Sequence, residues 1–337
     1  MLEMESDTLD RLDLQLLTAL ELNGRASFSR LGTVLGVSDQ TIARRFRRLT
    51  AEAGLRVVAI RDPERLGQDQ WMLRLRSAPD NALNIADALA KRPDTAWIGL
   101  ASGGTEIVCL TRPRSPGDHD DLLLGKLPRT PSVLDIRAHQ LLHRFYGGPT
   151  GWLRRFKLLA DDQIAALLPE PAPAPGPARI EPEDEALVAV LERDGRAGYP
   201  ELQRATGRSE SAVKRRLASL IGSGAVYIDV EYDSEVFGYT RAAVLWITAT
   251  PAALHSVGEA LATHDEVAYA SATAGTSNIV VTVVVKDTAG LYDYLSGPLG
   301  QLDGIRHVEA SPFLRRVKQL TYRTLLLNSP SLKVSSR

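Results

Sequence analysis

Residues 27–49 read SFSRLGTVLGVSDQTIARRFRRL, and this stretch decides the fold of the chain around it. Apolar residues recur at helical spacing on both sides of Gly36, which predicts two short helices joined by a tight turn. Ser38 is placed to cap the second helix, where its side chain can accept a hydrogen bond from a free backbone N–H. That helix would bury its apolar face and expose four arginines: Arg44, Arg45, Arg47 and Arg48.

The stretch upstream completes a helix-turn-helix. Leucines in residues 8–22 fall at helical spacing, and Gly24 ends that helix. In this motif the helix after the turn enters the major groove of DNA with its N-terminal residues near base edges. We therefore predict base contacts from Gln40, Thr41 and Arg44, phosphate contacts from Arg45, Arg47 and Arg48, and a place for Ser38 on the same surface. The alternative is a solvated helix face, because a run of arginines is common there.

An internal repeat relates two halves of the chain. Residues 23–26 (NGRA) match residues 194–197 (DGRA) at an offset of 194 − 23 = 171. The same offset carries Gly36 to Gly207, Ser38 to Ser209, Arg44 to Arg215 and Gly104 to Gly275. Such a match indicates duplication of a unit much longer than the ~20–50 residues of a solenoid repeat.

The second recognition helix would carry less positive charge. Its DNA-facing candidates are Ser211, Lys214 and Arg215, but Ala218 and Ser219 stand where the first copy has arginines. It would therefore bind DNA more weakly, or only pack against the protein.

After each three-helix pattern the period of the apolar residues changes from helical to strand-like. Residues 70–77, 95–101, 106–111 and 132–141 predict strands, and residues 79–91 and 118–127 predict helices. The order βαββαβ is the ferredoxin-like arrangement, and the second copy repeats it. The fold class is thus α+β, with two tandem copies of a winged-helix-like, three-helix helix-turn-helix followed by a ferredoxin-like domain. The predicted boundaries are 1–55 and 56–150, a Pro/Ala-rich linker at 151–180, then 181–226 and 227–324, and a tail at 325–337.

Composition narrows the class of protein. The chain has 337 residues, 44% hydrophobic and 24% charged, with a formal net charge of −1. One cysteine, Cys109, excludes a disulfide within the chain and a cysteine zinc cluster. No apolar run approaches the ~20 residues that span a bilayer, and the acidic N-terminus lacks a secretion signal. We expect a cytoplasmic protein without a membrane partner.

The motifs in order resemble the Lrp/AsnC (feast/famine) family of bacterial transcription regulators. The resemblance is carried by residues 9–13 (LDRLD), 23–27 (NGRAS), 35–38 (LGVS), 44–49 (RRFRRL), 62–67 (DPERLG) and 275–278 (GTSN), and it covers nearly the whole chain. It implies a sequence-specific regulator that binds double-stranded DNA, is not an enzyme and needs no cofactor. It also implies ferredoxin-like domains that sense a small molecule such as an amino acid and that form a homo-oligomer.

The resemblance places the effector at the glycine turn of each ferredoxin-like domain, where backbone N–H groups can hold a carboxylate. The implied residues are Gly103, Gly104, Thr105 and Glu106 in the first copy and Gly275, Thr276, Ser277 and Asn278 in the second. The family commonly has an aspartate just after the turn, and this chain has Glu106 and Asn278 instead. The alternative is that these glycines only close a hairpin.

Two other functions compete with a regulator. Siroheme decarboxylases are two-copy proteins of related fold, but their chemistry needs histidines near the junction after the helix-turn-helix, and residues 54–58 and 224–230 contain none. The other is an interaction scaffold that does not bind DNA, against which the four arginines of the first copy argue. His139 and His143 have a spacing of four, but with no third ligand evident we expect no metal site.

Overall fold

The computed structural model describes residues 9–114, 117–168 and 177–321. The chain divides into two compact units. The larger comprises the described residues up to Met72 together with Ala138–Phe313, and the smaller comprises Leu73–Arg137 together with the described residues from Leu314. In the described part of the chain, no helix is long and apolar enough to cross a membrane.

The larger unit begins with the expected helix-turn-helix. Its helices are α1 (Arg11–Leu22), α2 (Phe28–Leu35) and α3 (Asp39–Glu52), followed by β1 (Arg56–Arg61) and a short helix α4 (Pro63–Leu66). The first helix starts three residues later than predicted, because Asp10 and Asp13 form a capping box that fixes its N-terminus. Most leucines of α1 to α3 are buried between the helices, as their helical spacing predicts, and five are fully buried: Leu16, Leu17, Leu20, Leu31 and Leu49.

The next segment forms most of the smaller unit and then returns to the larger one. It contains β2 (Trp71–Ser77), α5 (Ala82–Ala90), β3 (Thr95–Ala101), β4 (Glu106–Thr111), a π-helix (Asp120–Lys126) and β5 (Val133–Tyr146). The strand order β3-β4-β2-β5 is that of a ferredoxin-like sheet. Strand β5 runs five residues beyond its predicted end, and its part from Gln140 pairs antiparallel with β8 of the larger unit's own sheet, described below.

The predicted linker at 151–180 starts too early. Residues 152–156 form a 3₁₀ helix (Trp152–Phe156), and residues 161–167 form α6 (Asp161–Leu167). Trp152, Leu153 and Leu167 are buried in the same core as the first helix-turn-helix. The apolar residues that precede the prolines therefore make this part of the segment fold against the protein. Most of the Pro/Ala-rich run, and the predicted tail, lie outside the described residues.

The second half of the chain lies in the larger unit up to Phe313. Its elements are α7 (Glu185–Arg193), α8 (Tyr199–Thr206), α9 (Glu210–Gly222), β6 (Val226–Glu231), β7 (Arg241–Ala249), α10 (Leu254–Leu261), β8 (Val267–Ala274), β9 (Ile279–Val285), α11 (Thr288–Ser296) and β10 (Ile305–Lys318). Strands β8-β9-β7-β10 repeat the ferredoxin-like order, and the expected α+β class is confirmed. Valines of β9 are buried in the core of this domain, and β10 is a long strand of 14 residues.

Strands β1 and β6 form a separate antiparallel pair inside the larger unit. Each strand follows one helix-turn-helix and packs against the opposite one, since α1 contacts β6 and α7 contacts β1. The two helix-turn-helix domains are therefore interlocked within one chain.

Candidate functional site

The first recognition helix, α3, begins at a well-formed cap. Ser38 Oγ accepts a hydrogen bond from the backbone N–H of Thr41 at 3.1 Å. Two glycines are needed around the turn that precedes α3, one in the turn itself and one in α2. Gly36 has a left-handed φ of 70°, which glycine adopts without strain, and a Cβ at Gly32 would lie 2.6 Å from the carbonyl oxygen of Val37. The local sequence thus sets the backbone geometry of the turn that leads into α3.

Three of the predicted DNA contacts lie exposed on α3: Gln40, Arg44 and Arg47. They are joined by the exposed Ser38 and the half-buried Thr41. The side chain of Arg47 makes only a long hydrogen bond of 3.3 Å to the carbonyl of Ala43, one turn earlier in the same helix. This face is therefore polar, cationic and accessible.

The other two arginines of the run have a different role. Arg45 donates to Asp10 and Asp13 at 2.7 and 2.8 Å, and its side chain is 17% exposed. Arg48 also forms an ion pair with Asp13, whose side chain is fully buried. Burial of Asp13 makes these pairs structural, because an unpaired buried carboxylate is costly. Both arginines thus hold α3 against α1, and their contacts with phosphate stay a prediction.

The second helix-turn-helix repeats this ion pair at the same offset. Asp184 is the counterpart of Asp13 (184 − 13 = 171), and it accepts a hydrogen bond from Arg216, the counterpart of Arg45, at 2.8 Å. Although burial raises the pKa of Asp184, its hydrogen bonds from Arg216 and from a backbone N–H hold that pKa below its usual value. Asp13 and Asp184 stand at the repeat offset, so the sequence itself signals this ion pair. The number of arginines alone does not.

The exposed face of α9 carries a weaker positive charge than that of α3. Ser211 and Arg215 are exposed, as expected for DNA contacts. Lys214 forms an ion pair with Glu210 at 2.6 Å and lies over the ring of Tyr199 at 4.8 Å. The hydrogen bond that Lys214 donates to Glu210 raises the pKa of Lys214, so the lysine stays charged but is partly neutralised locally.

A reciprocal pair of arginines joins the two helix-turn-helix domains. Arg25 donates to the carbonyls of Gly195 and Ala197, and Arg196 donates to the carbonyls of Gly24 and Ala26. Each donor and acceptor has its counterpart at the repeat offset. Arg196 also lies over the ring of Phe28 at 4.8 Å, where the cation is attracted by the ring's π face. The motif that revealed the repeat therefore forms the interface between its copies.

The first glycine turn, Ser102–Gly104, is closed by a buried ion pair. Glu106 is 4% exposed, accepts a hydrogen bond from Arg74 Nε, and accepts another from Ser102 Oγ at 2.9 Å. Both oxygens of the carboxylate are engaged within the smaller unit. Thr105 Oγ1 likewise donates to the carbonyl of Ser102, at 3.0 Å. Glu106 therefore pairs with a guanidinium of the chain, and its contact with an effector stays a prediction.

The second glycine turn is built differently. Gly275 and Thr276 are exposed, and Asn278 spans the backbone N–H and carbonyl of Ala249 at 2.8 Å each. Ser277 is buried, and its carbonyl accepts from Thr273 Oγ1 at 2.8 Å. Asn278 therefore fixes the turn and does not point to a ligand, which revises its predicted role.

Gly275 also makes a close approach to the strand beside it. A Cβ there would lie 2.6 Å from the His139 ring, which is buried and stacks on Trp246 at a centroid distance of 4.9 Å. His143, four residues on, is exposed and faces Phe145 and His255 instead. Within the described ranges, no three histidine, cysteine or acidic side chains are grouped as metal ligands.

Two family models match the chain. An AsnC-type helix-turn-helix domain matches residues 9–50, and the Lrp/AsnC ligand binding domain matches residues 242–322. The first match covers the exposed face of α3, and the second covers the turn at Gly275. Together the models match the first helix-turn-helix and the second ferredoxin-like domain.

Relatives from archaea resemble part of the chain over most of their own length. An uncharacterized HTH-type transcriptional regulator of Pyrococcus abyssi is 32% identical over 140 residues, 41% of this chain and 88% of that protein. The HTH-type transcriptional regulator LrpA of the same organism is 25% identical over 41% of this chain and 99% of its own. Among solved structures, the siroheme decarboxylase NirDL has a TM-score of 0.63 at 12% identity and covers 94% of both chains, a likeness of fold alone.

Proposed function

Because the chain belongs to the Lrp/AsnC family of transcriptional regulators, we propose that it binds specific double-stranded DNA through α3 and, more weakly, α9. The observation that supports this proposal is that the four arginines of residues 44–48 differ in pairing and exposure. Arg45 and Arg48 anchor α3 through ion pairs with the buried Asp13, while Gln40 and Arg44 remain exposed on its N-terminal half. A helix held in this way presents a fixed polar face to the major groove.

The exposed side chains divide by the contact that each type makes best. Arg44 and Gln40 can each form two hydrogen bonds with a base edge, arginine with guanine and glutamine with adenine. Arg47, nearer the C-terminal end of the helix, suits a phosphate, which sets register without reading sequence. On α9, Arg215 is the counterpart of Arg44, and Ser211 completes the weaker surface.

One chain supplies two unlike recognition helices, so the preferred site is asymmetric. The interlock of Arg25 and Arg196 holds the two helix-turn-helix domains together without a second chain. The half-site read by α3 would be strong, since its exposed face carries Arg44 and Arg47. The half-site read by α9 would be weak, because Lys214 is tied to Glu210.

We further propose that the second ferredoxin-like domain senses a small carboxylate-bearing effector, such as an amino acid, at Gly275 and Thr276. Exposed backbone N–H groups of a glycine turn favour an anion. Gly103, Gly104 and Thr105 of the first turn are less suited to an amine-bearing effector, since Arg74 already neutralises Glu106 beside them. A cytoplasmic location and a homo-oligomer formed through the ferredoxin-like domains accompany this proposal.

The proposed function is non-enzymatic. The likeness to siroheme decarboxylase NirDL lies in the arrangement of elements at 12% identity. The junction residues 54–58 and 224–230, where that chemistry needs histidines, contain none. A decarboxylase is therefore the second candidate function, and an interaction scaffold that does not bind DNA is the third.

Selection from random double-stranded DNA, followed by gel-shift titration at two salt concentrations, tests the function. The chain's own upstream region serves as a first candidate target. We expect an asymmetric site, binding that falls steeply with salt because phosphate contacts release counterions, and resistance to unrelated competitor DNA. Arg44→Ala should abolish selection of one half-site, with Arg193→Ala, an exposed change at the end of α7, as the matched control. Failure of selection in the wild type would refute DNA binding.

A further inference from the structure

Residues 151–168, hereafter the connecting segment, attach the first helix-turn-helix to the second ferredoxin-like domain within the larger unit. At its start, Trp152 Nε1 donates to the carbonyl of Asp265 at 3.2 Å, and Arg155 donates to the carbonyl of Ala262 at 2.8 Å. The guanidinium of Arg155 also lies 3.6 Å from the centroid of the Tyr146 ring. These acceptors lie between α10 and β8, so this end is fixed to the ferredoxin-like domain.

The other end of the connecting segment is fixed to α2. Gln163 Nε2 donates to the carbonyl of Val34 at 2.9 Å, and Arg30 donates to the carbonyls of Ala166 and Leu168 at 2.7 and 3.2 Å. Val34 lies two residues before Gly36, the left-handed turn that sets the direction of α3. The connecting segment is therefore hydrogen-bonded to the first helix-turn-helix beside its turn.

The two attachments share one core. Trp152 packs edge to face against Tyr239 at 5.1 Å, and Tyr239 lies just before the first strand of the second ferredoxin-like domain. Leu153 and Leu167 are fully buried in the same cluster as the leucines of α1 and α2. In the described part of the chain, the core of the second helix-turn-helix contains residues of β1 but none of residues 151–168. The attachment is thus specific to the first copy.

We infer that the connecting segment is a positioning element for α3, which sets how the first recognition helix meets its half-site and ties that pose to the second ferredoxin-like domain. This inference rests on the proposed DNA-binding function. The physical basis is geometric: only three residues, 36–38, separate α2 from α3, so a shift of α2 at Val34 moves α3. Regulation sensed in the second ferredoxin-like domain would then act on the strong half-site.

The side chain of Gln163 allows a narrow test. Its Oε1 accepts from the backbone N–H of Ala160 and so caps α6, while its Nε2 donates to Val34. Gln163→Glu keeps the accepting oxygen and removes the donor, so α6 retains its cap and α2 loses its contact. Asp162→Ala, an exposed change on the same helix, is the matched control. Arg155→Met releases the other end of the segment.

The readout is affinity for two operator variants, each with one half-site scrambled, after Arg44→Ala and Arg215→Ala have assigned the half-sites. We expect Gln163→Glu and Arg155→Met each to weaken binding about 3- to 10-fold where the α3 half-site remains, and to leave binding to the α9 half-site unchanged. The double variant should lose no more than the larger single loss, because the two contacts act through one element. Asp162→Ala should bind as the wild type does.

A merely structural role would lower the midpoint of thermal unfolding and weaken both half-sites alike. Equal loss at both half-sites, or no loss at either, would overturn the inference while leaving DNA binding intact. Absence of DNA binding by the wild-type chain would instead overturn the proposed function, and the inference with it.

Discussion

Val58 pairs with Asp229 across the antiparallel strands β1 and β6, and the two residues are counterparts in the repeat (229 − 58 = 171). A pseudo-twofold axis must therefore pass between them, since each strand meets its own copy in reverse direction. The reciprocal bonds of Arg25 and Arg196 obey the same axis. The repeated positions thus make, inside one chain, the kind of self-complementary contact that two identical chains would make across a twofold axis.

The reciprocal arginines should stabilise the interlock of the two helix-turn-helix domains. We expect Arg196→Ala to lower the free energy of unfolding by about 2 kcal/mol, because two backbone carbonyls lose a charged donor. Arg25→Ala should have a similar effect, with less loss of ring contact, since Arg25 lies 5.8 Å from the Tyr199 ring. Urea denaturation measures both, with Arg193→Ala as the exposed control. Wild-type stability in both variants would contradict the interlock.

Neighbouring arginines on α3 should separate stability from DNA binding. Arg45→Ala should destabilise the fold by roughly 1–3 kcal/mol, because the buried Asp13 loses a partner. Arg44→Ala should leave stability within about 0.5 kcal/mol and weaken specific binding by roughly 1–3 kcal/mol. Thermal unfolding and gel-shift titration of the same preparations distinguish the two effects.

The two recognition helices should also contribute unequally to the affinity for DNA. Arg44→Ala should weaken specific binding more than Arg215→Ala, because α3 presents the stronger cationic face. Titration of both variants on the selected asymmetric site measures the ratio. Comparable losses, or a selected site that is a perfect palindrome, would show that the halves are equivalent.

The buried pair of Arg74 and Glu106 should be essential to the first ferredoxin-like domain. Arg74→Ala would leave a buried carboxylate without its cation, and we expect a loss of about 3–5 kcal/mol in the free energy of unfolding. The double change Arg74→Met with Glu106→Leu removes both charges and should recover most of that stability. Denaturant titration checks this, and a double variant less stable than Arg74→Ala would count against the argument.

Glu21 should make stability depend on pH. Burial, opposed by its hydrogen bonds with Tyr232 at 2.7 Å and the backbone N–H of Leu153, raises the pKa of Glu21 from 4.5 to about 8. A carboxyl with a raised folded pKa binds its proton more tightly in the folded state. Its contribution to stability is therefore full below pH 4.5 and is lost as the pH rises toward 8.

Glu21→Gln removes this titration and provides the comparison. We expect the stability difference between wild type and variant to change steadily between pH 4.5 and about 8 and to level off above that range. Asp229 and Arg154 also face this carboxyl. The same series with Asp229→Asn measures how much Asp229 contributes to the raised pKa of Glu21. Parallel pH profiles for wild type and Glu21→Gln would contradict the assignment.

The sequence by itself predicted the first helix-turn-helix, the internal repeat and the family. These rest on local signals, since Gly36 permits the left-handed turn, Ser38 caps the next helix, and leucine spacing sets the buried face. Each signal lies within one or two turns of the residue that it controls. The offset of 171 needed no structure, because both copies are written in the chain.

Only the tertiary structure decided which arginines are exposed and which are paired with buried carboxylates. Arg44 and Arg45 are adjacent and chemically identical, but a step of one residue turns a side chain by about 100° around a helix. Arg45 therefore meets Asp13, 32 residues away, while Arg44 faces solvent. Glu106 likewise finds its cation 32 residues back at Arg74. Pairings at that distance follow from how the elements pack, and no local pattern records them.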